Sequence, residues 1–328
     1  MKIDVFCHIV PPKYKAALDK TIGSVGMVDV LPTMYNLDER FRIMDKSEDL
    51  MQVLTTSLPP LETIPDKKKA ADLAKMANDE MAELVLKHAD RFAAAIATLP
   101  MNDVDAALKE VDRAIKDLKF RGVQIYTPIN DKPLDSPEFF PLYEKMSQYN
   151  LPILIHPCRN SDYADYRTEK ASLYNLYDLF GWIYETSTAM MRLIYSGVME
   201  KYPNLKIITH HAGAMIPFLE RRIIDFADFG EMFMNANNKQ YLRKPVVDYL
   251  KMFYVDTAIY GNTPGLMCSY ALYGAPHMLF ATDFPYDKEW GLRHNKAIIS
   301  SINEMDISEA EKKMIFEDNA RNLLRLPV

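Results

Sequence analysis

The side chains best suited to chemistry stand where short apolar runs end. His8 closes the run from residue 2, His156 the run from residue 152, the pair His210 and His211 the run from residue 206, and Asp283 the run from residue 279. Imidazole and carboxylate together suit a borderline divalent metal such as zinc, with manganese as the alternative. A hydrolytic or lyase centre keeps one coordination position open for water or substrate. Taken singly, each of these residues also reads as a polar side chain satisfied at a strand end. Four of them at four such ends form a pattern, because parallel-barrel enzymes carry their chemistry at the C-terminal ends of their strands.

The elements needed to position these groups can be read along the chain. Strands are expected over residues 3–8, 50–56, 92–99, 122–126, 151–156, 205–209, 253–258 and 278–282, as short runs of the kind buried in parallel sheets. In the first, alternation places Asp4, Phe6 and His8 on one face and Cys7 on the other. Between the strands lie amphipathic segments. Residues 66–88 carry Ala70, Leu73, Ala74, Ala77, Met81, Leu84 and Val85 at three-to-four spacing, and 105–118 repeats the design. Residues 136–149 start a helix with Pro137 in its first turn, and a later helix running to Met199 is expected to break near Gly181 or Gly197. Further helices are expected at 216–229, at 264–273 with a poorer pattern, and at 308–324, where Ser308 and Glu311 spell a capping box. Residues 13–38 lack clean periodicity and read as a long loop or small insertion able to cover the barrel mouth, with Asp38 capping a helix through Lys46. The alternation predicts an α/β chain folded as a (β/α)8 TIM barrel with a C-terminal helix, one domain over residues 1–328.

The totals narrow the function classes. Of 328 residues, 48% are hydrophobic and 26% charged, as in ordinary soluble proteins. The net charge of −6 gives no electrostatic reason to expect nucleic acid or an anionic membrane as partner. No apolar stretch approaches the ~18 residues of a spanning helix, and Asp4 interrupts the N-terminal apolar run, so a cytoplasmic protein is expected. Cys7, Cys158 and Cys268 are too scattered for a disulfide framework or a Cys-x-x-Cys clip, and no Gly-x-Gly-x-x-Gly is present for a dinucleotide.

Several stretches carry a family likeness. They are Ser196-Gly197-Val198 with Tyr202-Pro203-Asn204-Leu205-Lys206, His211-Ala212-Gly213 with Pro217 and Arg222, and Phe280-Ala281-Thr282-Asp283-Phe284-Pro285. In these the chain resembles the amidohydrolase superfamily, specifically the branch of aminocarboxymuconate semialdehyde decarboxylase and related aromatic-acid decarboxylases. The resemblance implies metal ligation by His8, His156 and Asp283, proton handling by His211 with Asp283, and a homodimer. The first strand of such enzymes ends His-x-His or Glu-x-His. Here the first position is Phe6, which has no lone pair, so the metal is expected to be held less tightly and the substrate to meet a more apolar wall at Phe6.

Strand alternation sends one of the adjacent histidines inward. Register with Ile207 and Thr209, and the family spacing to Gly213 and Pro217, select His211 and leave His210 structural. Arg159 and Arg222 are candidates to clamp a substrate carboxylate through the guanidinium fork. Tyr163, Tyr166, Tyr174 and Tyr177 suit a subunit interface better than an aromatic lid, and Cys158 has no triad partners. The leading functional expectation is metal-assisted, non-oxidative removal of CO2 from a small aromatic or unsaturated acid. Hydrolysis of a lactone or amide on the same scaffold is the alternative. A barrel that binds a small acid without turnover is the third, with Phe6 as its main support.

Overall fold

The structure is a computed structural model and describes residues 1–24, 26–233 and 241–326. Eight parallel strands follow one another in spatial order: Lys2–Ile9, Leu50–Thr56, Phe92–Ala95 with its continuation Ala97–Thr98, Val123–Thr127, Ile153–Pro157, Ile207–Thr209, Tyr254–Asp256 and Met278–Leu279. The third strand is interrupted only at Ile96, whose N–H still donates to Leu54 O at 2.9 Å. The last strand returns to the first through Val5 N–H to Phe280 O (3.0 Å) and His8 N–H to Phe284 O (2.8 Å), which closes the barrel. Closure leaves no strand edge unpaired.

Side-chain alternation divides the core in two. Val5, Val53, Ala94, Ile96, Leu154, Ile208, Leu279 and Ala281 belong to one buried cluster, and a larger one joins the strands' other faces to the helices. With both faces covered, the strands are buried along nearly their whole length, including polar residues such as Asp4, Gln52 and Gln124. Each strand delivers its last residues to the same rim, and that rim holds His8, His156, His210 and Asp283.

Of the two readings of residues 13–38, a long loop or a small insertion, the structure has the insertion, and it is helical. Helix Pro12–Ile22 begins there, followed by Gly26–Asp29, the 3₁₀ turn Pro32–Met34 and helix Leu37–Met44. Tyr14 and Leu18 pack on Ala70, Leu73, Ala74 and Ala77 of helix Lys67–Lys87. The start of Pro12–Ile22 is capped from outside: Lys13 N–H (3.0 Å) and Tyr14 N–H (2.9 Å) both donate to the Glu80 carboxylate. A tertiary cap and such short apolar stripes leave no local periodicity to read. Helix Leu37–Met44 is capped by Asn36 rather than Asp38, since its side chain accepts from Asp38 N–H (3.0 Å) and Glu39 N–H (3.2 Å). Residues Val30 and Leu31 of this segment do reach the mouth, where they line a cavity.

After the fifth strand, Tyr177–Trp182 forms a single π turn that runs into helix Ile183–Tyr195, and Gly197, at φ +80°, ends the segment. The C-terminal capping box forms as read, with Glu311 N–H donating to Ser308 Oγ and Ser308 N–H to the Glu311 carboxylate.

Candidate metal centre and active site

Three imidazoles are each tied down at Nδ1. His8 Nδ1 lies 3.1 Å from Thr56 O, and His156 Nδ1 lies 2.6 Å from Pro157 O. A carbonyl oxygen can only accept, so both rings carry their proton on Nδ1 and leave a lone pair on Nε2. His210 does the same with a carboxylate partner, donating Nδ1–H to Asp256. Asp256 is itself fixed, its Oδ1 accepting from Ala212 N–H and Ala258 N–H, both at 3.0 Å.

The free nitrogens converge. One ligand atom each from His8, His156, His210 and Asp283 lies within 4.8 Å of every other, and all four residues are buried. Asp283 Oδ1 is 3.2 Å from His8 Nε2 and 3.3 Å from His210 Nε2. His8 Nε2 has no hydrogen-bond partner although it is fully enclosed. The enclosed Nε2 of His8 and the Asp283 oxygen facing it call for shared positive charge between them, which a proton on His210 or a bound cation supplies. Three imidazole nitrogens held through their far side by carbonyl or carboxylate, together with one carboxylate, therefore fit a divalent metal.

The electrostatics agree. Burial opposes a charge on His210, but Asp256 and Asp283 override it and push its pKa up to about 10. Burial likewise opposes ionised Asp283, yet His210 and His8 hold its carboxyl well below the usual range. The pocket thus favours positive charge beside Asp283. His156, by contrast, is kept neutral by burial and by the neighbouring His8 and His210.

The expected assignment within the histidine pair is corrected. The sixth strand ends at Thr209, His210 remains extended (φ −78°, ψ 158°), and His211 turns to φ +58°. Alternation fails once the chain leaves the strand, so the two rings stack side by side with centroids 4.2 Å apart. His210 joins the ligand group. His211 also stays at the site, its Nδ1–H donating to Ala258 O at 2.8 Å and its ring 5.9 Å from that of Tyr260. Burial and His210 lower its pKa, which leaves a neutral ring with a lone pair on Nε2. Positive φ recurs at Ala212, Tyr260 and Asp283, and such backbone costs ~1–3 kcal/mol per residue where the surrounding structure holds it.

Phe6 points to the histidines, as alternation required, but not to the cavity. It is fully buried and stacks on His210 with centroids 3.9 Å apart, so the expected contact with substrate is replaced by support of an imidazole. Cys7 lies elsewhere, with Ile43, Phe284 and Leu292, despite a register shift between Asp4 and Cys7.

Neither arginine is brought to the cavity of this chain. The Arg159 guanidinium lies over Tyr163 (4.8 Å) and Tyr184 (5.9 Å) and 4.0 Å from Glu185. Arg222 is exposed on helix Ile216–Phe233, 4.3 Å from the Phe226 ring.

A cavity of about 320 Å³ opens onto Asp283. Its walls are Trp182, Tyr260 and Tyr286, the aliphatic Val30 and Leu31, and the carboxylates of Asp178 and Asp287. Tyr260 Oη donates to Asp283 Oδ2 at 3.3 Å, and Tyr286 shares a hydrogen bond with Ser57 while its ring lies 5.3 Å from that of His8. The volume sits at the lower end of the ~300–1,000 Å³ of small-molecule sites and has room for one substituted ring.

Of these residues, Asp256 was within reach of the sequence. It is a carboxylate at the end of the seventh strand, the same signal that identified Asp283. Tyr260 and Tyr286 follow strand ends by a few residues and carried no separate signal.

Residues 3–326 match the sequence pattern of the amidohydrolase family, and the chain belongs to that family. The γ-resorcylate decarboxylase of Polaromonas sp. (strain JS666) is 31% identical over 301 residues, covering 88% of this chain and 87% of that one. The dihydroxybenzoic acid decarboxylase structure from Polaromonas sp. JS666, with bound manganese and the inhibitor 2-nitroresorcinol, superposes with a TM-score of 0.79 at 27% identity, covering 99% of this chain and 96% of that one. The 5-carboxyvanillate decarboxylase of Sphingomonas paucimobilis has a TM-score of 0.82 at 25% identity, covering 99% of both chains. The fold common to these structures is the TIM barrel described above.

Proposed function

We propose that this protein is a metal-dependent, non-oxidative decarboxylase of a small hydroxyaromatic acid, with His8, His156, His210 and Asp283 as the ligands. The observation that carries this reading is the convergence of imidazole nitrogens on Asp283, whose carboxylate also lines a ring-sized cavity. The named relatives, all decarboxylases of aromatic acids, support the same reaction class. Three imidazoles in the donor set favour zinc over manganese. A metal held by these four residues would supply positive charge that offsets the negative charge developing on the substrate.

The residues of the chain do the rest. Trp182, Tyr260 and Tyr286 flank the ring and restrict water. Tyr260 fixes the second oxygen of Asp283. In the reaction the C–C bond breaks, its electron pair takes a proton at the ring carbon, and CO2 leaves. His211 manages that proton: its neutral Nε2 accepts one from the ring hydroxyl, which enriches the ring in electrons, and can return it to carbon.

The whole chain acts as one amidohydrolase domain in this reading, and two copies associate. Support for the dimer comes from helix Ile216–Phe233, which exposes Phe218 (84%) and Phe226 (56%) beside Arg222. No helix among the described residues is long and apolar enough to cross a membrane, and a cytoplasmic location fits the scattered cysteines.

The experiment is a panel of hydroxybenzoates offered to metal-loaded protein, with CO2 and the phenolic product quantified together. Equal amounts of the two are expected. Turnover confined to lactones or amides would replace decarboxylation with hydrolysis, and binding without product would support a non-catalytic barrel.

A further inference from the structure

The π turn Tyr177–Trp182 places two side chains, four residues apart, in the same cavity wall: Trp182 and Asp178. Single π turns gather at functional sites because the extra residue re-aims the side chains that follow. Trp182 closes on the metal ligands, its ring 5.6 Å from that of His156 and its Nε1–H donating to Arg159 O at 3.0 Å. Asp178 is thereby held on the wall beside Asp283.

The three cavity carboxylates differ in what they face. Asp283 is hydrogen-bonded by His210 and Tyr260 and lies 3.2 Å from His8 Nε2. Asp287 accepts from Glu289 N–H (2.6 Å) and His294 N–H (2.8 Å). Asp178 accepts no hydrogen bond and meets no cation within 4 Å among the described residues, and no lysine, arginine or histidine lines this cavity. Asp178 stands on the solvent-exposed side of the wall, where partial desolvation and the negative charge of Asp283 raise its pKa.

We infer that Asp178 selects the substrate: the cavity takes a ring monocarboxylate bearing a hydrogen-bond donor, a hydroxyl or amino group, on the edge remote from the reacting carboxylate, and rejects ring dicarboxylates. A donor there gains a charge-assisted hydrogen bond to a wall carboxylate that no protein donor engages among the described residues. A second carboxylate would sit against Asp178 with no cation to offset it. This specificity rests on the decarboxylase reading of the site.

The test compares 2-hydroxybenzoates carrying an additional hydroxyl, amino or carboxylate group at ring positions 3, 4 and 5. The parent, Asp178→Asn and Asp178→Arg proteins are used metal-loaded, with metal content and thermal melting checked for each. For the parent, kcat/KM for the best donor-bearing acid should exceed that for every dicarboxylate by about a hundredfold. Asp178→Asn should raise KM for the donor-bearing acid about tenfold with a smaller change in kcat, and Asp178→Arg should reverse the preference. Dissociation constants of the same acids, measured by calorimetry, are read alongside. If no acid is decarboxylated but the binding preference reverses in Asp178→Arg, the reaction assignment fails and the specificity stands. An unchanged preference in folded Asp178→Arg and Asp178→Asn proteins, or no binding of any acid to the parent, overturns the inference.

Discussion

The ring of Phe6 lies flat on the imidazole of His210, with centroids 3.9 Å apart and planes 16° from parallel. The first strand therefore supplies one nitrogen, from His8, and a platform. The sixth strand supplies the nitrogen that the first lacks. Phe6 has no lone pair to offer, but its face fixes the ring that has one, while Asp256 fixes that ring's proton.

Removal of the two adjacent histidines separates their roles. His210→Ala should lose most of the bound metal, and His211→Ala should retain it while losing at least a hundredfold in kcat. Metal analysis of both purified proteins decides the matter. Full metal in His210→Ala would exclude it as a ligand.

Asp256→Asn should weaken metal binding by about 10–100-fold without unfolding the barrel, because the amide no longer holds Nδ1–H of His210 with a charge. Competition with a calibrated chelator measures the change. Unaltered affinity would mean that Asp256 serves only the backbone N–H groups of Ala212 and Ala258.

Much of this arrangement was legible in the sequence, and its failures have identifiable causes. His8, His156 and Asp283 were readable because each closes an apolar run, and the barrel order followed from eight such runs. His210 was misassigned because alternation was extended past Thr209, where the strand ends and His211 turns to positive φ. Helices Pro12–Ile22 and Gly26–Asp29 escaped because the first takes its cap from Glu80, remote in sequence, and each stripe is short, whereas the helix expected from Asp38 to Lys46 is present as Leu37–Met44. Arg159 and Arg222 have the right chemistry, but position on the fold, which the sequence did not reveal, turns them to Tyr163 and Phe226.

Phe6→Ala should cost about 3–5 kcal/mol of stability, as a large buried ring is deleted, and should also reduce metal content by freeing the His210 ring. Urea denaturation of metal-free protein gives the first quantity and metal analysis the second. A stability loss with unchanged metal affinity would limit Phe6 to packing.

Glu62 offers a test in pH. It is buried, neither carboxylate oxygen has a partner among the described residues, and burial pushes its pKa from 4.5 up to about 7. A folded pKa above the unfolded one means that the fold binds the proton more tightly. The contribution is unpenalised below pH 4.5 and is lost as pH rises through about 7. Glu62→Gln should therefore be more stable than the parent at pH 8, by up to about 3 kcal/mol, with the difference gone near pH 4. Denaturation curves at the two pH values would contradict this if the difference were the same at both.

The central claim is that decarboxylation here depends on a cation held by His8, His156, His210 and Asp283. Its most direct test is CO2 release from a hydroxybenzoate substrate by one preparation measured three times: as purified, after exhaustive chelation, and after one equivalent of zinc or manganese is returned. Activity, its loss, and its recovery at a single equivalent are expected. Undiminished CO2 release from protein shown to be metal-free would contradict it.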